Sequence, residues 1–112
     1  MIEIIEEFTK VCNIGELKDR EGKRFTVNDI EIAVFLVDEK IYALQNHCPH
    51  QHAPIIYDGF VEDCKVVCPA HGWEFNLKDG KLNNNRKGLD SYEVIINDEN
   101  VYVKVIDKKF NW

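Results

Sequence analysis

Two short stretches, Cys48-Pro49-His50 and Cys68-Pro69-Ala70-His71, decide how this chain folds and what it holds. Each offers one thiolate and one imidazole, and the seventeen residues 51 to 67 separate them. Two sulfur and two nitrogen ligands on two matched loops suit a dinuclear iron–sulfur centre, in which two cysteines hold one iron and two histidines the other. The pattern therefore predicts a [2Fe-2S] cluster and a chain that carries an electron. The predicted ligands are Cys48, His50, Cys68 and His71.

Each loop must present its cysteine and its histidine to the same side. An extended backbone does this in Cys48-Pro49-His50, because residues i and i+2 of a strand-like segment share a face. The longer spacing in Cys68-Pro69-Ala70-His71 requires a turn, and the ring of Pro69 fixes one dihedral of that turn in advance. Gly72 follows directly, and we expect it to let the backbone approach the cluster closely.

A structural zinc site is the alternative for the same four residues, because zinc also accepts two cysteines and two histidines. The order of the ligands argues against it. Zinc fingers usually place a pair of cysteines before a pair of histidines, whereas this chain alternates cysteine and histidine. We therefore favour the iron–sulfur cluster and keep a zinc-binding module as the less favoured hypothesis.

The ligand set also predicts a range for the reduction potential. With two thiolates the oxidised cluster is neutral, whereas a cluster with four thiolates is a dianion and accepts an electron less readily. Histidine ligation therefore places the potential between roughly −150 and +300 mV. Hydrogen bonds to the sulfurs tune the value, and Gly72-Trp73-Glu74-Phe75 offers no Ser or Tyr hydroxyl. We expect the lower part of that range.

The segments Asn46–His50 and Cys68–Phe75 resemble the ligand loops of the Rieske iron–sulfur family. The nearest similarity is to small soluble Rieske-type ferredoxins that serve aromatic-ring oxygenases, and to the small subunits of NAD(P)H nitrite reductases. Comparable residues in similar proteins also correspond to Ala53-Pro54, Asp79-Gly80 and Tyr92-Glu93-Val94. The resemblance implies an all-β, Rieske-type fold of stacked antiparallel sheets. Residues 1–112 would form a single domain, with a cluster-binding subdomain at about 46–77 inserted into the β scaffold.

Two departures from the family pattern concern the ligand loops. The respiratory branch of the family has an extra cysteine in each loop, and the two form a disulfide. The corresponding neighbourhoods here hold Gln51, His52 and Ala70, which excludes that bridge. His52 also stands where similar ferredoxins usually have glycine. We leave His52 and the neighbouring His47 out of the ligand set.

The resemblance implies an electron carrier that takes one electron from a reductase, a flavoprotein by analogy, and passes it to a terminal oxygenase. The alternative is a small subunit of a multi-component reductase such as a nitrite reductase. In either role we expect an electron-carrying component and not an enzyme, because 112 residues are too few to hold the mononuclear iron domain of a catalytic oxygenase component as well. We expect a monomer or a weak oligomer.

The net charge indicates which classes of partner the chain could bind. The formal net charge is -6, which disfavours nucleic acid, because phosphate contacts need clustered Lys and Arg. An acidic surface suits a positively charged redox partner, and mild acidity also keeps a protein soluble. Residues 1–7 are acidic rather than basic, and no apolar run approaches the length of a membrane span. We therefore expect a cytoplasmic protein that does not enter a membrane.

Short alternating apolar segments separated by turn residues predict strands. Two hairpins are expected, one turning at Asp38-Glu39-Lys40 and one at residues 97–100, each packing one face on a core. Trp73 and Phe75 are expected to face an apolar floor under the cluster, with Glu74 between them pointing away. The predicted strands are Lys10–Cys12, Lys23–Val27, Ile30–Val37, Ile41–Gln45, Lys65–Val67, Trp73–Phe75, Ser91–Ile96 and Val101–Ile106.

Two cysteines remain outside the ligand set. We expect Cys12 and Cys64 to be small buried or half-buried thiols. Whether they pair with each other is left open by the sequence, although a disulfide framework is not the pattern here.

Overall fold

The structure, a computed structural model, describes residues 8–47, 54–69, 72–82 and 88–105. Its named strands form two antiparallel sheets, one of six strands and one of three. Two short 3₁₀ turns, Ile14–Glu16 and Ile56–Asp58, complete the regular structure described. The predicted all-β fold is confirmed. The strands are β1 (Thr9–Asn13), β2 (Gly22–Val27), β3 (Ile30–Val37), β4 (Lys40–Gln45), β5 (Phe60–Glu62), β6 (Lys65–Val67), β7 (Glu74–Asn76), β8 (Ser91–Asn97) and β9 (Asn100–Lys104). Neighbouring strands follow the order β1-β9-β8-β4-β3-β2 in the larger sheet and β5-β6-β7 in the smaller one.

In the part of the chain that the structure describes, four hairpins turn through two residues that both have positive φ. This is the type I′ geometry, whose twist matches that of the flanking strands. Asn or Asp comes first in every turn, and these residues tolerate the left-handed region better than most. Both predicted hairpins are confirmed, with tighter turns than expected. The turns are Asn28-Asp29, Asp38-Glu39, Asp63-Cys64 and Asp98-Glu99.

The predicted strands are present, with ends that differ by a residue or two, and Ile106 lies outside the described residues. The sequence analysis missed β5 (Phe60–Glu62), which pairs with β6. Three residues show little alternation, and Phe60–Glu62, unlike the equally short β6 and β7, does not lie within a few residues of a predicted ligand. Missing β5 also meant missing the hairpin turn that carries Cys64.

The six-stranded sheet curls around a hydrophobic core, which we call the scaffold core. Cys12 of β1 and Val27 of β2 come from opposite ends of the strand order, yet both pack in this core. The two edge strands therefore approach each other across it. The buried members of the scaffold core are Cys12, Leu17, Val27, Ile32, Val34, Ala43, Val101, Val103 and Val105.

A second core, the inter-sheet core, lies between the two sheets. Phe35 and Leu44 of the six-stranded sheet meet Val66 and Phe75 of the three-stranded sheet there. This packing fixes the position of the small sheet on the large one. Its buried members are Ala33, Phe35, Val37, Leu44, Ile56, Val66, Cys68, Phe75, Leu77 and Leu89.

Strand β3 belongs to both cores. Ile32 and Val34 pack in the scaffold core, whereas Ala33 and Phe35 pack in the inter-sheet core. All four side chains are 0% exposed. The prediction that the hairpin turning at Asp38-Glu39-Lys40 packs one face on a core is therefore wrong for β3, because the second sheet covers the other face of this strand. A strand covered on both sides carries a continuous apolar run rather than an alternating one.

The two cysteines outside the ligand set differ. Cys12 is buried, as predicted, and Cys64 is exposed, so the prediction of a buried or half-buried thiol is wrong for Cys64. Cys64 is a central residue of a hairpin turn, which faces solvent. Neither forms a disulfide in the structure. Burial raises the pKa of the Cys12 thiol above its ordinary value of 9.0, Glu16 adds to the increase, and Lys23 opposes it.

None of the helical segments in the described ranges has the length and apolar character needed to cross a lipid bilayer.

Candidate metal centre

Cys68 is the one predicted ligand that lies among the described residues, since Cys48, His50 and His71 fall outside them. It follows directly after β6 and is 1% exposed. Its side chain belongs to the inter-sheet core and forms no disulfide. A buried sulfur beside an apolar core is suitable for ligating a cluster that must be shielded from water.

The second predicted ligand loop, residues 68–73, is closed by two backbone hydrogen bonds. The N–H of Cys68 donates to the carbonyl oxygen of Trp73 at 2.8 Å, and the N–H of Gly72 donates to the carbonyl oxygen of Cys68 at 2.9 Å. These bonds return the chain from the end of β6 to the start of β7. The two ends of the loop, at Cys68 and at Gly72-Trp73, are thus held together, as the turn predicted from the Cys-x-x-His spacing requires.

Gly72 has φ +76, in the left-handed region. A Cβ built on it meets no atom of the described residues within 4 Å. The backbone conformation therefore accounts for glycine at this position. The expectation that Gly72 permits close approach to the cluster stays a prediction.

Trp73 and Phe75 pack on the same side of β7. Their ring centroids are 6.4 Å apart with an interplanar angle of 52°. Phe75 is a buried member of the inter-sheet core and Trp73 packs against it, which confirms the prediction that both face an apolar region. Glu74 points the other way, and its Oε1 lies 3.7 Å from Nζ of Lys65.

The first predicted ligand loop, residues 47–53 with Cys48 and His50, follows directly after Asn46. The sequence analysis missed the role of Asn46 in holding this loop. Asn46 is 0% exposed and precedes Cys48 by two residues. Its Nδ2 donates to Oε1 of Glu31 at 3.0 Å and to the carbonyl oxygen of Pro54 at 3.2 Å. Its Oδ1 accepts from the N–H of Tyr57 at 2.8 Å. A polar residue at the end of an apolar strand was the signal available in the sequence.

Gln45 supports the same region from the other side. Its Nε2 donates to the carbonyl oxygen of His47 at 3.2 Å, and its Oε1 accepts from the N–H of Asp90 at 3.0 Å. The entry to the first loop is thereby tied to the segment that leads into β8.

In the described ranges, no three or more His, Cys, Asp or Glu side chains converge in a group that could hold a metal. This agrees with the position of three predicted ligands outside those ranges. The donor set of two thiolates and two imidazoles, with Cys68 buried at the end of a closed turn, fits a [2Fe-2S] cluster of mixed ligation.

Curled antiparallel sheets with a cysteine loop on the smaller one define the Rieske class of iron–sulfur domain. Residues 7–105 match the Rieske [2Fe-2S] domain family, and the chain belongs to that family. A [2Fe-2S] cluster is accordingly its cofactor.

Two curated relatives are ferredoxins of oxygenase systems. The chain is 33% identical over 102 residues to the 3-phenylpropionate/cinnamic acid dioxygenase ferredoxin subunit of Photorhabdus laumondii, covering 88% of this chain and 95% of that protein. It is 29% identical over 75 residues to the ferredoxin component of the alkene monooxygenase system of Xanthobacter autotrophicus, covering 67% of this chain but 62% of that protein.

Two solved structures share the fold. One, described as an NADH-dependent nitrite reductase small subunit from Mycobacterium tuberculosis, has a TM-score of 0.83 at 22% identity and covers 89% of this chain and 96% of its own. The other is a chain in the complex of reduced oxygenase and oxidized ferredoxin of carbazole 1,9a-dioxygenase. It has a TM-score of 0.75 at 28% identity and covers 85% of this chain and 99% of its own. The Rieske-type fold that the sequence predicted is confirmed.

Proposed function

We propose that this protein is an electron carrier that takes one electron from a reductase and passes it to a terminal oxygenase, without catalysing a reaction of its own. The observation that carries the proposal is the match along 95% of a dioxygenase ferredoxin subunit. In this proposal Cys48 and Cys68 hold one iron and His50 and His71 the other, within a cluster-binding subdomain at about residues 46–77 of a single domain. The three-stranded sheet lies inside that range.

The cluster, when bound, supplies a site that accepts and releases one electron. The residues around Cys68 hold its sulfur in place and exclude water. Cys68 is bonded through its N–H into the closed turn, and its side chain packs with Val66 and Phe75 in the inter-sheet core. A rigid surrounding limits rearrangement as the charge of the cluster changes, which is what a carrier requires.

The surface of the small sheet favours a positively charged partner. Asp58, Glu62 and Asp63 are exposed and lie within three residues of Phe60 along the chain, and Phe60 is itself 58% exposed. Phe60 pairs with Val67, the residue before Cys68. Exposed acidic residues near an exposed apolar side chain suit an oxygenase or reductase surface that presents basic residues beside an apolar patch.

The first test is the cofactor itself. The protein is purified without oxygen, iron, sulfide and zinc are assayed, and EPR spectra are recorded after dithionite reduction. We expect two irons and two sulfides per chain and a rhombic signal whose average g lies below the free-electron value. One zinc per chain, with no sulfide and no signal, would instead establish the zinc-binding module.

The second test concerns the ligand set, and the chain offers a matched control. Cys68→Ser removes the buried sulfur of the second loop, whereas Cys64→Ser removes an exposed one from a hairpin turn. We expect loss of the cluster from Cys68→Ser and full occupancy in Cys64→Ser. The same assay on Cys48→Ser, His50→Ala and His71→Ala completes the set.

The third test separates a carrier from a fixed subunit. Stopped-flow mixing of the reduced protein with an oxidised Rieske oxygenase should reoxidise the cluster in a single phase whose rate rises with oxygenase concentration. Isolation from its native host in a stable complex with a large flavoprotein would favour the small subunit of a multi-component reductase.

A further inference from the structure

Asn46 is the one buried polar residue among the described residues. Both its side-chain and its main-chain groups are bonded. Its backbone N–H donates to the carbonyl oxygen of Glu31 at 3.2 Å, and its carbonyl oxygen accepts from the N–H of Ile56 at 3.1 Å. With the three side-chain bonds, five hydrogen bonds meet at this residue.

The partners of Asn46 lie on both sides of the first ligand loop. Glu31 belongs to β3, the strand whose Ile32–Phe35 segment is fully buried. Pro54, Ile56 and Tyr57 follow the loop in the sequence. Asn46 therefore holds the start of the loop on β3 through Glu31, and it holds the end of the loop beside its start through Pro54 and Tyr57. The predicted ligands Cys48 and His50 thus belong to a segment whose two ends meet at Asn46.

An apolar residue could fill the same space but could not make these bonds. Removal of the amide leaves the N–H of Tyr57 and the carbonyl oxygen of Pro54 without this partner, and loss of a partner for part-buried polar groups is destabilising. The amide also sets direction, because its donor and acceptor sides face different partners. These bonds hold the end of the loop, at Pro54 and Tyr57, in a fixed position relative to its start at Asn46.

We propose that Asn46 is a positioning residue that holds the first ligand loop in the geometry in which Cys48 and His50 bind the cluster. The inference rests on the ligand set proposed above. Asn46 does not touch the iron in this proposal and acts through the loop backbone.

The test compares Asn46→Ala with Asn13→Ala in the cluster-loaded protein. Asn13 also accepts a backbone hydrogen bond through its side chain, from the N–H of Gly15 at 2.9 Å, but it caps the 3₁₀ turn Ile14–Glu16. Both variants lose an asparagine that holds a turn, and only Asn46 holds the ligand loop. The readouts are the rate of iron release to a chelator, the EPR g-values and the reduction potential.

We expect iron release from Asn46→Ala to be roughly tenfold faster than from the wild type, since supporting partners of metal ligands typically have effects of that size. Its g-values and potential should shift as well. Asn13→Ala should keep the wild-type rate, g-values and potential. If Asn46→Ala is less stable but matches Asn13→Ala in all three readouts, Asn46 is a structural residue only and the proposal is overturned.

A second pair of variants decides the matter if Asn46→Ala does not fold. Glu31→Ala removes the acceptor of one Asn46 bond, whereas Glu31→Gln keeps an oxygen at that position. We expect faster iron release from Glu31→Ala and wild-type release from Glu31→Gln. Equal release from both would overturn the proposal.

Failure of the inference and failure of the proposed function give different results. If the cluster is stable but no oxygenase accepts its electron, the carrier function fails while the Asn46 readouts still stand. If Cys48→Ser retains the cluster with unchanged g-values, the ligand set is wrong and the inference falls with it.

Discussion

Gly22 of β2 lies directly against the carbonyl oxygen of Tyr57. A Cβ on Gly22 would overlap with that oxygen and with the ring of Phe35. Tyr57 is also the residue whose N–H donates to Asn46. The absence of a side chain at position 22 thus lets the segment that follows the first ligand loop rest on the six-stranded sheet.

Gly22→Ala should therefore destabilise the protein by about 1–3 kcal/mol, the usual cost of inserting atoms into a packed region. Urea unfolding of the two proteins measures the difference. Gly15→Ala is the matched control, because the nearest atom to its added Cβ is Oδ1 of Asn13 at 3.2 Å, the end of a side chain in an exposed turn. A change for Gly22→Ala no larger than for Gly15→Ala would contradict the contact.

The two cysteines outside the ligand set should differ in reactivity. Alkylation of the native protein with iodoacetamide should modify Cys64 rapidly and Cys12 slowly, because Cys12 is buried and its thiol pKa is raised by burial. Each unit of increase lowers the thiolate fraction at neutral pH by about tenfold. Peptide mass spectrometry gives both rates. The rate at Cys12 should rise with pH and go on rising above the ordinary pKa of 9.0 before it levels off, and a rate that has already levelled off below that value would be the contrary result.

The reduction potential should lie in the lower part of the range from roughly −150 to +300 mV. Two amides of the second loop, those of Cys68 and Gly72, donate to carbonyl oxygens, and Pro69 has no N–H to offer a sulfur. Fewer hydrogen bonds to sulfur leave the reduced cluster less stabilised. Redox titration followed by circular dichroism measures the midpoint. A value near the upper limit would indicate donors to sulfur from outside this loop.

Charge reversal beside Phe60 should slow electron transfer to a basic partner. Glu62→Lys changes an exposed residue of β5, and Glu99→Lys makes the same change in net charge in the turn between β8 and β9. We expect a lower second-order rate for Glu62→Lys at low salt, and a difference that shrinks as salt screens the charges. Stopped-flow mixing provides the rates. Equal slowing by both variants would mean that net charge, not this surface, controls the encounter.

The hairpin turns offer a route to higher stability. Glu39 and Glu99 have φ values of 69° and 68°, in the region that costs a residue with a Cβ about 1 kcal/mol or more. Glu39→Gly and Glu99→Gly should each stabilise the protein by up to about 1 kcal/mol, after the entropy that glycine adds to the unfolded chain. Lys40→Gly, inside β4, is the control and should destabilise it. Thermal unfolding of the three variants and of the wild type shows whether each substitution stabilises or destabilises the protein.

Local features of the sequence were enough to predict most of the strands and two of the hairpins. The alternation of Ser91–Asn97 and Asn100–Lys104 and the acidic residues between them are enough to specify a hairpin. Asn46 escaped notice because its side-chain partners, Glu31, Pro54 and Tyr57, are 8 to 15 residues away along the chain. The exposure of Cys64 and the double burial of β3 depend on the pairing of β5 with β6 and on the packing of two sheets. The pairing of β5 with β6 has no local signal, whereas the continuous apolar run of residues 32–37 was a local signal for the double burial of β3 that the sequence analysis did not use.

Strand β3 also decides what could be moved to another protein. The apolar side chains of Val66 and Phe75 on the small sheet are buried against Phe35 and its neighbours. A graft of β5 to β7 with their loops would place those side chains in water on any host that lacks a matching surface. The three-stranded sheet and its loops therefore cannot be transferred to another protein by themselves. A successful graft also has to include β3 and β4, which cover the buried face of the small sheet.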